Sequence, residues 1–90
     1  MAIDMDKEVR TTESALAERG LSHVTVTKRG KALTLLIDHD DADVRMTHVS
    51  GRTWRLDVHH HTGKWEQTPF TGDIDELIDA ALSLGRLDDY

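Results

Sequence analysis

Apolar positions in the first twenty residues recur at the spacing of one face of an α-helix. The members of this stripe are Met5, Val9, Thr12 and Leu16. Asp4 or Asp6 can cap the first turn with a carboxylate oxygen. Gly20 suits the left-handed conformation that follows a last helical turn, and Leu21 would then close onto the stripe in a Schellman motif. We therefore predict a helix from about residue 4 to residue 19.

After residue 22 the pattern changes to alternation of apolar and polar residues, which is typical of half-buried β-strands. The alternating segments are SHVTVTK, KALTLLID, DVRMTHV, RTWRLDVHHH and a shorter KWEQT that ends at Pro69. The positions that the alternation assigns to the core face are Val24, Val26, Leu33, Leu35, Ile37, Val44, Met46, His48, Trp54, Leu56, Val58 and His60. Turn residues separate neighbouring segments, which predicts five strands.

Three predicted turns can be tested against this alternation, because residues that face each other across a hairpin share a face of the sheet. The expected pairs are Val26–Leu33 across Arg29-Gly30, Met46–Leu56 across Ser50-Gly51-Arg52, and His60–Trp65 across Thr62-Gly63. Every pair joins two residues of the core face, and the third pair places Trp65 on that face. A continuous antiparallel meander is the simplest arrangement.

The segment DIDELIDAALSLG carries a second helical stripe. Its members are Ile74, Leu77, Ile78, Ala81 and Leu82. Asp73 and Glu76 resemble a capping box, Phe70 precedes them as a hydrophobic staple, and Gly85 ends the helix, leaving a polar tail. The order α-β-β-β-β-β-α predicts one α+β domain over residues 1–90, an antiparallel meander of four or five strands with the N- and C-terminal helices packed on one face.

The acidic composition narrows the possible classes of function. The chain has 17 acidic and 11 basic residues and a formal net charge of −6, and a net negative field repels nucleic-acid phosphates. The lack of cysteine rules out disulfides and thiolate zinc sites and fits a reducing cytoplasm. The N-terminal residues do not have the pattern of a signal peptide, and no apolar run is as long as a membrane span. We therefore expect a cytoplasmic protein that binds neither nucleic acid directly nor a membrane.

Three consecutive histidines, His59, His60 and His61, fall on two faces of the fourth strand. His60 is in phase with the core face, where it would be partly buried beside Trp65. His59 and His61 point to the outer face, where one ion can bind both imidazoles and Glu66, opposite His59, would add an oxygen ligand. This pattern makes zinc a possible cofactor, although no cofactor is the simpler expectation.

The outer-face charges also have a simpler interpretation as cross-strand pairs, such as Arg45–Asp57 and His59–Glu66. Beside them lies the acidic connection DHDDAD, which lacks the glycine and terminal glutamate of a calcium-binding EF-hand loop. We interpret this connection as a solvated loop that can present negative charge to a basic partner. The candidate binding residues are Asp38, Asp40, Asp41, Asp43, Arg45, Arg55 and Asp57.

Catalytic motifs are scarce in this sequence. It has no cysteine nucleophile, no glycine loop of the phosphate-binding type and no pair of inward carboxylates. The leading hypothesis is a small, acidic, non-enzymatic regulatory module that binds a protein partner, or a second copy of itself, through the open sheet face or an edge strand. The alternatives are a metal-binding protein that uses the His-x-His pair and an acidic inhibitor of a nucleic-acid-binding protein.

Overall fold

A computed structural model describes residues 4–37, 41–60 and 62–87. The elements in chain order are α1 (Met5–Glu18), β1 (Val24–Arg29), β2 (Ala32–Ile37), β3 (Asp41–Ser50), β4 (Thr53–His59), β5 (Trp65–Gly72) and α2 (Ile74–Ser83). The five strands form one antiparallel sheet in the order β1-β2-β3-β4-β5. The predicted α+β class, element order and meander are confirmed.

The predicted aspartate caps and the Schellman ending of α1 are also confirmed. The Asp4 carboxylate accepts the backbone N–H of Lys7 at 3.2 Å, and the Asp73 carboxylate accepts that of Glu76 at 2.8 Å. Gly20 is left-handed, and the N–H of Leu21 donates to the Leu16 carbonyl at 2.9 Å. These bonds satisfy backbone groups that a helix leaves unpaired at its ends, which explains why the helices begin and end where they do.

Both helices pack on one face of the sheet and bury their apolar stripes there. α1 lies mainly against β1, while α2 contacts β3, β4 and β5, and the two helices also contact each other. The buried hydrophobic core consists of Ala15, Leu16, Leu21, Val24, Leu33, Leu35, Val44, Met46, Trp54, Leu56, Val58, Ile74, Leu77, Ile78, Ala81 and Leu87. The opposite face of the sheet therefore carries no helix among the described residues.

Arg19 links the two helices at their solvent side. Its Nε donates to Asp79 at 2.9 Å and its Nη1 donates to Asp75 at 3.1 Å. The hydrogen bond with Asp79 raises the pKa of Arg19, and the same bond lowers the pKa of Asp79. Because both aspartates are well exposed, this linkage adds little to stability.

The first two hairpins keep the predicted faces. In the β1–β2 hairpin Val26 pairs with Leu35 and not with Leu33, because the two turn residues are Gly30 and Lys31. This difference of two residues leaves every side chain on the predicted face, since the side-chain period of a strand is two. The β3–β4 hairpin has the predicted pairs, including Met46 with Leu56.

The third hairpin differs from the prediction by one residue, and this difference moves Trp65 to the other face. Trp65 pairs with His59 and not with His60. The N–H of His60 donates to the Lys64 carbonyl at 2.8 Å, so three residues form the loop where two were expected. A register change of one residue flips every side chain of the following strand. The prediction that Trp65 lies in the core is therefore wrong.

Strand β5 continues through Pro69 to Gly72, beyond its predicted end. Its pairing with β4 is interrupted at Leu56, where the Thr68 hydroxyl donates to the Leu56 carbonyl at 2.8 Å. Proline is tolerated here because β5 is an edge strand with a bulge. Phe70 lies within this irregular segment and is exposed, so the predicted hydrophobic staple is wrong.

The C-terminal segment was expected to be a polar tail, but Leu87 is fully buried in the core. Asp43 holds this segment in place: its carboxylate accepts the backbone N–H of Leu87 at 2.7 Å and Arg86 Nη1 at 3.0 Å. The β2–β3 register shifts beside Asp43, which leaves this residue without a partner position in the ladder. Such a bulge redirects a side chain, here towards the C-terminal segment.

Candidate functional site

The face of the sheet opposite the helices forms a continuous surface made of cross-strand rows. We call it the open face; its members include Thr27, Arg29, Ala32, Thr34, Leu36, Arg45, Thr47, Arg55, Asp57, His59, Trp65, Gln67 and Thr71. The pairings place Thr34, Arg45, Asp57 and Gln67 in one row. Asp57, on β4, therefore lies between β3 and β5 on the open face.

Asp57 is a buried carboxylate on a face that no described helix covers. Its side chain is 2% exposed, compared with 32% for Arg45 and 35% for Arg55. Arg45 donates to Asp57 Oδ2 through Nε at 3.2 Å and through Nη2 at 3.0 Å. Arg55 Nε lies 3.5 Å from Oδ1 as an ion pair without hydrogen-bond geometry. The two long arginine side chains flank the carboxylate, which explains its burial.

Trp65 extends this arrangement towards the edge of the sheet. The guanidinium carbon of Arg45 lies 4.5 Å from the centre of the Trp65 ring. The centre of the His59 ring lies 4.8 Å from the centre of the same Trp65 ring. An arginine over an indole face is a favourable cation–π contact. We call Arg45, Arg55, Asp57, His59 and Trp65 the basic-aromatic cluster. The Arg45 guanidinium is thus held on two sides, by a carboxylate and by a ring.

The cluster keeps hydrogen-bond donors that no described residue uses. Arg45 uses Nε and Nη2 on Asp57, while its Nη1 donates to no described atom. Arg55 approaches Asp57 Oδ1 with Nε, and its two terminal nitrogens make no hydrogen bond to a described residue. Guanidinium donors in this fork are suited to carboxylates and phosphates. The cluster therefore offers oriented donors to a ligand above the sheet.

Charge is distributed unequally between the two sides of the protein. The helix layer, residues 4–19 and 73–83, carries nine acidic and three basic residues. Among the described residues, the open face carries three arginines, at positions 29, 45 and 55, and the buried Asp57. The net charge of −6 is thus a poor description of the open face, which is locally positive.

The structure brings only part of the predicted binding surface together. Arg45, Arg55 and Asp57 form one cluster, which includes the expected cross-strand pair between Arg45 and Asp57. Asp41 is exposed at the start of β3, and Asp43 is occupied by the C-terminal segment. The remaining two predicted binding residues, at positions 38 and 40, lie outside the described residues.

The predicted metal ligands do not have the expected register. Glu66 pairs with Val58 and not with His59, and its Oε1 lies 3.0 Å from Nε2 of His60. His60 is accordingly half-buried beside Glu66 and not beside Trp65. His61 lies outside the described residues, and the described part of the chain holds no group of three or more potential ligands. A zinc site that includes His61 stays a prediction.

Trp65 is the residue of the basic-aromatic cluster that the sequence interpretation missed. A signal for it was present in the loop, because Gly63 is the last of three residues between His60 and Lys64 and is left-handed. A left-handed glycine in the third position is typical of three-residue hairpin loops, whereas two-residue loops favour Asn-Gly or a leading glycine. The Thr62-Gly63 sequence fits the longer loop better.

A separate cleft of about 300 Å³ lies on the helix side of the molecule, between α1, the start of α2 and the β3–β4 turn. Its lining includes Lys7, Glu8, Asp73 and Asp75, with Trp54 also contributing. The three carboxylates come from the first turns of the two helices, where the helix dipole favours negative charge. Helix stability accounts for them without a ligand.

The chain matches no protein-family model, no curated protein and no solved structure. In the described part of the chain, neither helix is long and apolar enough to cross a membrane.

Proposed function

We propose that this protein is a small, non-enzymatic interaction module that binds a protein partner through the basic-aromatic cluster of its open face. The observation that supports this proposal is the Arg45 guanidinium held between Asp57 and the Trp65 ring on a face without a helix. The lack of cysteine supports a cytoplasmic setting for this module.

The residue types of the cluster are those that contribute most to protein interfaces. Tryptophan and arginine are enriched among the residues whose truncation costs most binding energy, and these residues gather near the centre of an interface. Arg45 and Trp65 are already restrained by their mutual contact. Binding therefore loses less side-chain entropy than it would for mobile residues.

The open face is a better candidate than the β5 edge. Pro69 lies within β5 and lacks a backbone N–H, and the β4–β5 register is interrupted between Arg55 and Asp57. Proline and bulges on an edge strand prevent another strand from pairing with it. Partner binding by strand addition at β5 is therefore disfavoured, and we propose the open face as the binding surface.

Site-specific photo-crosslinking in the native cell tests this function. A photoreactive residue at Thr47, which pairs with Arg55 on the open face, is expected to give one discrete protein adduct identified by mass spectrometry. The same residue at the exposed Glu13 of α1 is the matched control and is expected to give none. The adduct should disappear when the protein with the photoreactive residue at position 47 also carries the substitution Arg55→Glu. An adduct only at position 13, or none at either position, would contradict the proposal.

A further inference from the structure

We infer that the protein segment bound by the open face presents carboxylates, and that Asp57 positions Arg45 and Arg55 to receive them. This inference rests on the proposed function and adds the chemistry of the partner. Its basis is the combination of a nearly fully buried carboxylate, two guanidiniums that flank it, and terminal nitrogens that no described residue uses.

The geometry of the two arginines favours carboxylate binding. Arg45 donates two hydrogen bonds to one oxygen of Asp57, so its plane is fixed and Nη1 remains for a ligand. Arg55 approaches the other oxygen through Nε, which leaves both terminal nitrogens available among the described contacts. Trp65 adds an apolar surface on the far side of Arg45. A segment that combines acidic and apolar side chains matches both features.

Local charge is complementary to such a segment in spite of the acidic net charge. In the helix layer every acidic residue except Glu8 is exposed, and both helices lie on the opposite side of the sheet. A helix is about 10 Å thick, whereas the screening length is about 8 Å at physiological ionic strength. The carboxylates of the helix layer therefore contribute little to the electrostatic field that a ligand on the open face meets.

Asp57 distinguishes this inference from simple charge attraction. Asp57→Asn removes one negative charge from the open face, so attraction alone predicts tighter binding of an acidic segment. Positioning predicts the reverse, because both guanidiniums lose the ion pair that orients them and must be ordered again on binding. The direction of the change in Kd therefore separates the two explanations.

The test is an NMR titration. A short blocked peptide of alternating glutamate and leucine is added to the ¹⁵N-labelled protein, and the amide shifts are recorded. We expect shift changes confined to the open face and to the Trp65 indole N–H. Arg55→Gln is expected to raise the Kd roughly tenfold, the size of effect for a lost charged hydrogen bond. Asp57→Asn should raise the Kd about threefold or more, because the two guanidiniums are no longer oriented before the peptide binds. Arg52→Gln, an equal charge change in the exposed β3–β4 turn, should leave the Kd unchanged.

Two further probes make every outcome decisive. The glutamine analogue of the peptide is expected not to bind, and a single-stranded oligonucleotide is expected to bind more weakly than the acidic peptide. No binding of the acidic peptide, an unchanged or lower Kd for Asp57→Asn, an unchanged Kd for Arg55→Gln, or preference for the oligonucleotide would each overturn the inference. If the adduct at position 47 forms while the acidic peptide fails to bind, the proposed function stands and the carboxylate chemistry is wrong. The amide spectrum of each variant verifies that it is folded.

Discussion

Replacing Leu87 with alanine is expected to lower the free energy of unfolding by about 3 kcal/mol, in the range found when a buried leucine is truncated. Leu87 is 0% exposed and belongs to the core cluster. Its backbone N–H is bonded to Asp43 at 2.7 Å, so the segment cannot move freely to fill the cavity that the truncation leaves. Denaturant unfolding monitored by circular dichroism measures the change.

Leu84→Ala is the matched control for this prediction. Leu84 is the C-cap of α2, is 45% exposed, and lies three residues before Leu87. Truncation of an exposed side chain costs about 0.5 kcal/mol or less. Equal and small losses for the two variants would show that residue 87 does not anchor the C-terminal segment in the core.

The second large effect concerns the cluster itself. Replacing both Arg45 and Arg55 with methionine, with Asp57 retained, is expected to destabilise the protein by about 3 kcal/mol, because a buried carboxylate then lacks a charged partner. The side chain of Asp57 is 2% exposed, so solvent cannot replace the lost ion pairs without local rearrangement. Thermal and denaturant unfolding provide the measurement.

A triple variant that also carries Asp57→Leu separates stability from function. Apolar replacement of a whole buried ion-pair network is often neutral or stabilising. We therefore expect the free energy of unfolding of the triple variant to lie within about 1 kcal/mol of that of the parent. It should nevertheless lose the adduct at position 47. A triple variant as unstable as the double variant would indicate that the cluster serves the fold and not a partner.

Local sequence patterns predicted the helices and the central hairpin because short-range physics determines them. Asp4, Gly20 and Asp73 act on backbone groups within a few residues. The predicted β3–β4 pairs are present although the turn is Gly51-Arg52, one residue shorter than expected, because the register shifts between His48 and Ser50. The open side of the sheet was likewise predicted from two helices with one apolar stripe each.

The parts that the sequence did not predict depend on single-residue choices or on long-range contacts. One additional loop residue before Lys64 moved Trp65 from the core to the open face. One bulge residue in β3 redirected Asp43 to a segment more than forty residues later in the chain. The burial of Leu87 follows from that contact and has no periodic signal in a short C-terminal segment. The cluster was therefore predicted in part, with Arg45, Arg55 and Asp57 but without its aromatic residue.

Binding through the open face requires Trp65 to lie on that face beside two arginines, and single-tryptophan fluorescence tests this directly. With Trp54→Phe, the emission of Trp65 is expected to be quenched by iodide and much less by caesium, because positive charge concentrates anions near the ring. With Trp65→Phe, the emission of Trp54, which is 2% exposed, should resist both ions. Trp65 emission as protected as that of Trp54, or quenched more by caesium than by iodide, would contradict a basic-aromatic open face.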